Sequence, residues 1–129
     1  MGLITCQFVR PDKLLFEGKV QSLVLVTEYG ELGVWPQHAA MIAALGDGVV
    51  RLHLPQEDGG DTVKIIVSGG YAEVSNDMVI ILADHARRED DIERDVVLAT
   101  RAAAEAKRDT LPAYYDNKIK WCNLLLEHC

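Results

Sequence analysis

The chain is short of most of what catalytic and ligand sites are built from. Its 129 residues include 3 cysteines, 2 tryptophans and 2 phenylalanines, and 13 Lys and Arg stand against 20 Asp and Glu. Cys6, Cys122 and Cys129 are odd in number and form no Cys-Xaa-Xaa-Cys pair, which argues for free thiols in a reducing compartment and against a disulfide framework. A metal site from Cys122, His128 and Cys129 lacks the paired ligand spacing of structural zinc, so no metal is expected. The net charge of −7 argues against nucleic acid and against direct binding to anionic lipid, since both reward basic patches. No apolar run approaches the ~18 residues of a membrane span. Residues 1–6 lack the basic start and apolar core of a secretory signal, so membrane attachment is expected only through protein partners.

Catalytic motifs are missing as well. There is no Gly-Xaa-Xaa-Xaa-Xaa-Gly-Lys phosphate loop, no dinucleotide fingerprint and no Gly-Xaa-Ser-Xaa-Gly elbow. His38, His53, His85 and His128 stand apart from one another. His38 could act as a general base, but a structural or interface histidine is the preferred reading because no catalytic partner is in view. Gly69-Gly70 reads as a strand corner in preference to an anion loop. The acidic run Glu89, Asp90, Asp91, Glu93 and Asp95 lacks the glycine and alternating ligands of a calcium loop, and reads as a solvated helix start.

What remains is a chain in two parts. Residues 1–84 are rich in β-branched residues and broken by turn chemistry at Pro11-Asp12, Gly46-Asp47-Gly48, Gly59-Gly60, Gly69-Gly70 and Ser75-Asn76-Asp77. That predicts a sandwich or barrel, with strands over 3–9, 20–26, 34–45 (bent at Pro36), 49–54, 62–67, 71–74 and 78–83. Residues 85–91 read as a charged linker with Asp90 or Asp91 as N-cap. Helices are predicted over 92–108 and 114–127, separated by Pro112. Ile92, Val96, Ala99, Ala103 and Ala106 fall on one face of the first helix, and Tyr115, Ile119, Cys122 and Leu126 on one face of the second. Each helix is marginal alone, so a hairpin able to dock in more than one place is inferred for 85–129.

The stretch 28–45 concentrates two glycines, a proline, a histidine and a tryptophan. Its spacing Gly30-Glu31-Xaa-Gly33-Xaa-Xaa-Pro36-Xaa-His38-Ala39 resembles the epsilon subunit of bacterial F-type ATP synthases, equivalent to mitochondrial delta. Phe16-Glu17-Gly18, the strand from Val20 to Thr27, Ser68-Gly69-Gly70 and Val79 to Asp84 match in the same order. The resemblance implies a β + α fold, an N-terminal two-layer β-sandwich followed by a C-terminal antiparallel two-helix hairpin. It implies a non-catalytic rotor subunit without cofactor, monomeric when isolated, and peripheral on the cytoplasmic side of the bacterial inner membrane. The expected partners are the gamma subunit, the c-subunit ring and, through the hairpin, the alpha and beta catalytic subunits.

Glu31, Leu32, Trp35 and His38 are then the candidates for the c-ring and gamma interface, Leu32 and Trp35 alternatively being core. Arg94, Arg101, Lys107, Arg108, Lys118 and Lys120 are candidates for an inhibitory contact with the beta subunit, or else ordinary helix-solubilising charges. The chain departs from the family at Trp35, at Gln37 where Gly is usual, and at Val96 and Val97, which occupy the Arg and Ala positions of an ATP-binding motif. Nucleotide binding is therefore not expected. Two other readings compete: a stand-alone regulatory module for a nucleotide or other anionic ligand, and a small hydrolase using His38.

Overall fold

The computed structural model describes residues 2–129, which form two compact units split between Arg88 and Glu89. The first unit holds eight strands: β1 (Ile4–Arg10), β2 (Lys13–Val20), β3 (Ser22–Thr27), β4 (Gly30–Val34), β5 (Met41–Ala44), β6 (Asp47–His53), β7 (Thr62–Ser75) and β8 (Met78–Arg88). The sheet runs β2-β1-β8-β7-β6-β3-β4, with β5 also paired to β7. Neighbours are antiparallel except β1 and β8.

The two layers of the sandwich come from one bend in β7. Its first half pairs with β6, and its second half, from Tyr71 to Val74, pairs with β5. The bend sits at Gly69 and Gly70, whose φ angles are 72° and 116°. A Cβ on Gly70 would overlap the Leu82 carbonyl oxygen and lie 2.8 Å from Ala83 Cα. Only glycine lets β7 and β8 cross the corner together.

Strand alternation then fills the interior. Ile4, Cys6 and Phe8 point inward from β1, Leu23 and Leu25 from β3, and Val79 and Ile81 from β8. Each such side chain contributes roughly 1.5–3 kcal/mol by leaving water. Cys6 lies wholly inside, and burial pushes its thiol up to about 12. All three cysteines are free.

The strand expectations need several corrections: the bent strand expected over 34–45 is two strands, β4 ending at Val34 and β5 opening at Met41, and the strands expected over 62–67 and 71–74 are one, β7. β2 and β4 are strands that apolar patterning did not reveal, because both sit at the ends of the sheet, where polar residues and glycine are tolerated. The run from Val20 to Val26 is divided, Val20 closing β2 and Ser22 opening β3. β8 continues to Arg88, so His85 to Arg88 is strand where a linker was expected. Antiparallel pairing with β7 from Ile65 to Ser68 holds it there.

The second unit is a helical pair, α1 (Arg94–Ala106) and α2 (Pro112–Glu127). The expected Asp90 or Asp91 cap is replaced by Glu93. Residues Glu89–Asp91 form a 3₁₀ turn instead, and Glu93 takes the N-cap position without a side-chain capping hydrogen bond. Pro112 opens α2, where its missing N–H costs nothing. The packed face of α1 also differs from expectation. Val97 and Ala104 are buried with Arg101 half-buried between them, while Val96, Ala99, Ala103 and Ala106 are exposed. The charge on Arg101 disguised the true stripe: its stem packs while its guanidinium donates to Asn123 Oδ1 at 2.9 Å. On α2 the expected Cys122 is buried together with Leu125.

Candidate docking surface

β4 hands the chain into the bend that carries most candidate residues. Alternation along β4 sends Leu32 and Val34 inward and Glu31 and Gly33 outward. Leu32 is accordingly half-buried against the core. Glu31 accepts a hydrogen bond from Arg51 Nη2 at 2.6 Å, an exposed ion pair reaching across β3 to β6 and worth at most ~1 kcal/mol.

Trp35 is 61% exposed. Its indole folds back over Gly33: a Cβ there would lie 2.7 Å from Cη2 and overlap Cζ3. The glycine makes the seat for the ring.

Residues beyond Trp35 form a tight bend. The His38 N–H donates to the Trp35 carbonyl at 3.2 Å, and Gln37 takes a left-handed φ of 68°. The Gln37 N–H donates to Asp77 Oδ1 at 2.6 Å, linking the bend to the turn between β7 and β8. Trp35, His38 and Asp77 line one shallow depression floored by Ile4, Val34, Val74 and Val79. His38 donates Nδ1–H to the Ala39 carbonyl at 2.7 Å. Among the described residues that line the depression there is no serine, threonine or cysteine, and the Asp77 carboxylate accepts from the Gln37 N–H.

A second surface escaped the sequence reading. Ala44, Tyr71, Leu82, Val9 and Leu14 stand directly opposite one another across β5, β7, β8, β1 and β2. They point outward, with Tyr71 62% and Leu82 55% exposed. Apolar residues at Tyr71, Ile80 and Leu82, where alternation asks for polar ones, were the available signal. Tyr29, at the tip of the β3–β4 hairpin, is 97% exposed.

The family described as "ATP synthase, Delta/Epsilon chain, beta-sandwich domain" matches residues 3–89. The chain belongs to this family. Relatives named ATP synthase epsilon chain include that of Dichelobacter nodosus, 42% identical over 97 residues, covering 75% of this chain and 66% of the relative. That of Acaryochloris marina is 35% identical over 106 residues, covering 82% and 74%. That of Desulforamulus reducens is 36% identical over 99 residues, covering 77% and 72%. The fold is shared with a chain in the Euglena gracilis mitochondrial ATP synthase at a TM-score of 0.66 and 23% identity, covering 97% of this chain and 76% of that one. A chain of the Tetrahymena thermophila mitochondrial ATP synthase, from a structure of its central stalk and c-ring, superposes at 0.53 and 15% identity, covering 89% and 96%. A delta/epsilon chain is a subunit of the synthase other than the catalytic one.

As an epsilon-type chain, the protein carries its hairpin outside the stretch matched by the family's sandwich. Several of the basic candidates there are engaged within the hairpin. Arg94 Nη1 lies 3.5 Å from Cys129 Sγ, Arg101 reaches Asn123, Arg108 pairs with Asp116 at 2.6 Å, and Lys118 sits 5.9 Å from the Tyr114 ring centre. The partners of the three arginines step backwards from Cys129 to Asp116 as the arginines step forwards from 94 to 108, so these three contacts staple an antiparallel pair, while the Lys118–Tyr114 contact lies within α2. Lys107 closes α1 through its backbone N–H to Ala104 and Glu105. Lys120 lies on α2. Val96 and Val97 hold the positions where the ATP motif has Arg and Ala, and Val97 is buried. Among the described residues no cluster of His, Cys, Asp and Glu could hold a metal ion, and no helix is long and apolar enough to cross a membrane.

Proposed function

We propose that this chain is the rotor subunit that joins gamma to the c ring of a proton-translocating ATP synthase, working through its surfaces and performing no chemistry itself. The exposed indole of Trp35, seated on Gly33 beside His38, carries the reading. A large, mostly exposed apolar ring seated on the sheet is the kind of anchor that dominates protein interfaces. Glu31, Trp35 and His38 are assigned to the docking patch. Leu32 supports it from beneath. The outward apolar row through Tyr71 and Leu82 supplies a second contact area of the kind a partner covers. In this reading the protein is peripheral on the cytoplasmic face of a bacterial inner membrane, monomeric when isolated, and free of cofactors.

The hairpin is assigned a regulatory role against the alpha and beta subunits. Arg94, Arg101, Lys107, Arg108, Lys118 and Lys120 are its basic groups, and each is tested by charge-removing substitution in the assembled complex. Truncation after Asp91 is expected to raise ATP hydrolysis by the assembled complex, and unchanged hydrolysis would make the hairpin purely structural.

Purified protein is expected to capture the gamma subunit in pull-down, and Trp35→Ala to weaken that capture without unfolding the sandwich. Absence of capture would remove the proposal. The alternative, a stand-alone module for a nucleotide or other anionic ligand, requires ATP binding by calorimetry, which the rotor reading does not expect.

A further inference from the structure

Building on the docking role given to the bend after β4, we propose that Asp77 is a positioning residue for that patch. From the turn between β7 and β8 its carboxylate holds the Gln37 N–H, and so fixes how Trp35 and His38 are presented to the partner protein.

Residues 35–40 lie between β4 and β5 and belong to neither, so their presentation rests on point contacts instead of a ladder. Gln37 holds a left-handed φ of 68°, which residues with a Cβ seldom keep without support. The support is a 2.6 Å hydrogen bond to a carboxylate forty residues away. Charge makes that bond stronger than a neutral one. Asp77 is itself well anchored. With φ of 51° and 57°, Asn76 and Asp77 have the twist preferred at the tip of a two-residue hairpin, and the Asp77 carbonyl accepts the Thr5 N–H at 2.9 Å. A rigid turn therefore offers one oxygen to a strained bend, and the bend carries the exposed indole. A partner meeting that ring would find it already placed, and so would lose less on ordering it.

The test uses the full chain with Trp121→Phe, so that Trp35 is its single tryptophan. Asp77→Gly removes the acceptor but leaves an Asn-Gly pair, the sequence best suited to this turn, so folding is retained. Asp77→Asn keeps an acceptor oxygen in the same place. Amide exchange at Gln37, Trp35 fluorescence anisotropy and affinity for an ATP synthase complex stripped of its epsilon chain are measured for each. Asp77→Gly is expected to speed exchange at Gln37 roughly tenfold to a hundredfold. It should lower the anisotropy and weaken binding roughly tenfold. Asp77→Asn, with a neutral acceptor, is expected to fall between the parent and Asp77→Gly and nearer the parent in all three. The proposal is overturned if Asp77→Gly leaves exchange unchanged, if exchange rises while affinity holds, or if Asp77→Asn is as damaging as Asp77→Gly. A parent chain that fails to bind the stripped complex would instead strike the docking reading, and exchange and anisotropy would still report whether Asp77 holds the bend.

Discussion

Trp35 lies across Gly33 so closely that a Cβ at 33 would fall 2.7 Å from the ring's Cη2. The docking patch therefore depends on a missing side chain as much as on a present one. Gly33 is not among the positive-φ glycines, so alanine is compatible with the strand itself. Gly33→Ala is expected to leave the unfolding midpoint nearly unchanged while displacing the indole, shifting its emission and weakening capture by the synthase roughly tenfold. Fluorescence and pull-down on the same preparation separate this from a folding defect, which would lower the midpoint instead.

A different glycine is expected to fail outright. Gly70 combines a φ of 116° with a Cβ position that overlaps the Leu82 carbonyl. Gly70→Ala should cost at least about 3 kcal/mol, combining backbone strain with the clash. Urea unfolding measures it, and a loss below ~1 kcal/mol would mean that the corner relaxes easily.

The two faces of α1 make opposite forecasts for neighbouring valines. Val97→Asp buries a charge in the helix pair and is expected to reduce its helicity strongly, by ~3 kcal/mol or more in stability. Val96→Asp, at a residue 52% exposed, is expected to change stability by no more than about 0.5 kcal/mol. Circular dichroism of both variants decides the register; equal losses would refute it.

Cys6 gives the sandwich a signature in alkali. Its thiol titrates at about 12 in the fold against 9.0 for an ordinary thiol. Between those values the unfolded chain gives up a proton that the folded chain keeps, so stability falls as pH rises, by about 1.4 kcal/mol per unit. Below about pH 9 both states hold the proton and the effect is absent. Cys6→Ala should unfold with a shallower pH dependence over that window than the parent, and identical slopes would contradict the burial of the thiol. At neutral pH, thiol reagents are expected to modify Cys129 first and Cys6 last.

Much of this architecture could be read from the sequence, for reasons that lie in particular residues. Continuous apolar runs such as 65–67 and 79–83 announce strands because both of their neighbours are other strands. Gly69-Gly70 announced its corner because no other residue could stand there. β2 and β4 stayed hidden since an edge strand needs apolar residues on one side only, and theirs are diluted by Glu17, Gly18, Gly30 and Glu31. The face of α1 was read one residue away from the packed one because Arg101 shares its stripe with Val97 and Ala104. Apolar character alone did not show that Leu32 is half-buried while Trp35, just past the end of β4, is mostly exposed. The bond from Gln37 to Asp77 had no local signal at all: forty residues part its ends, and only the meeting of the bend with the β7–β8 turn creates it.

The most direct test is proton pumping driven by ATP in membrane vesicles whose synthase has been stripped of its epsilon chain. Adding the purified chain is expected to restore coupling between hydrolysis and pumping, and adding Trp35→Ala to restore it only at roughly tenfold higher concentration. Vesicles that pump equally well with and without the chain would contradict its role as the grip between the stalk and the ring.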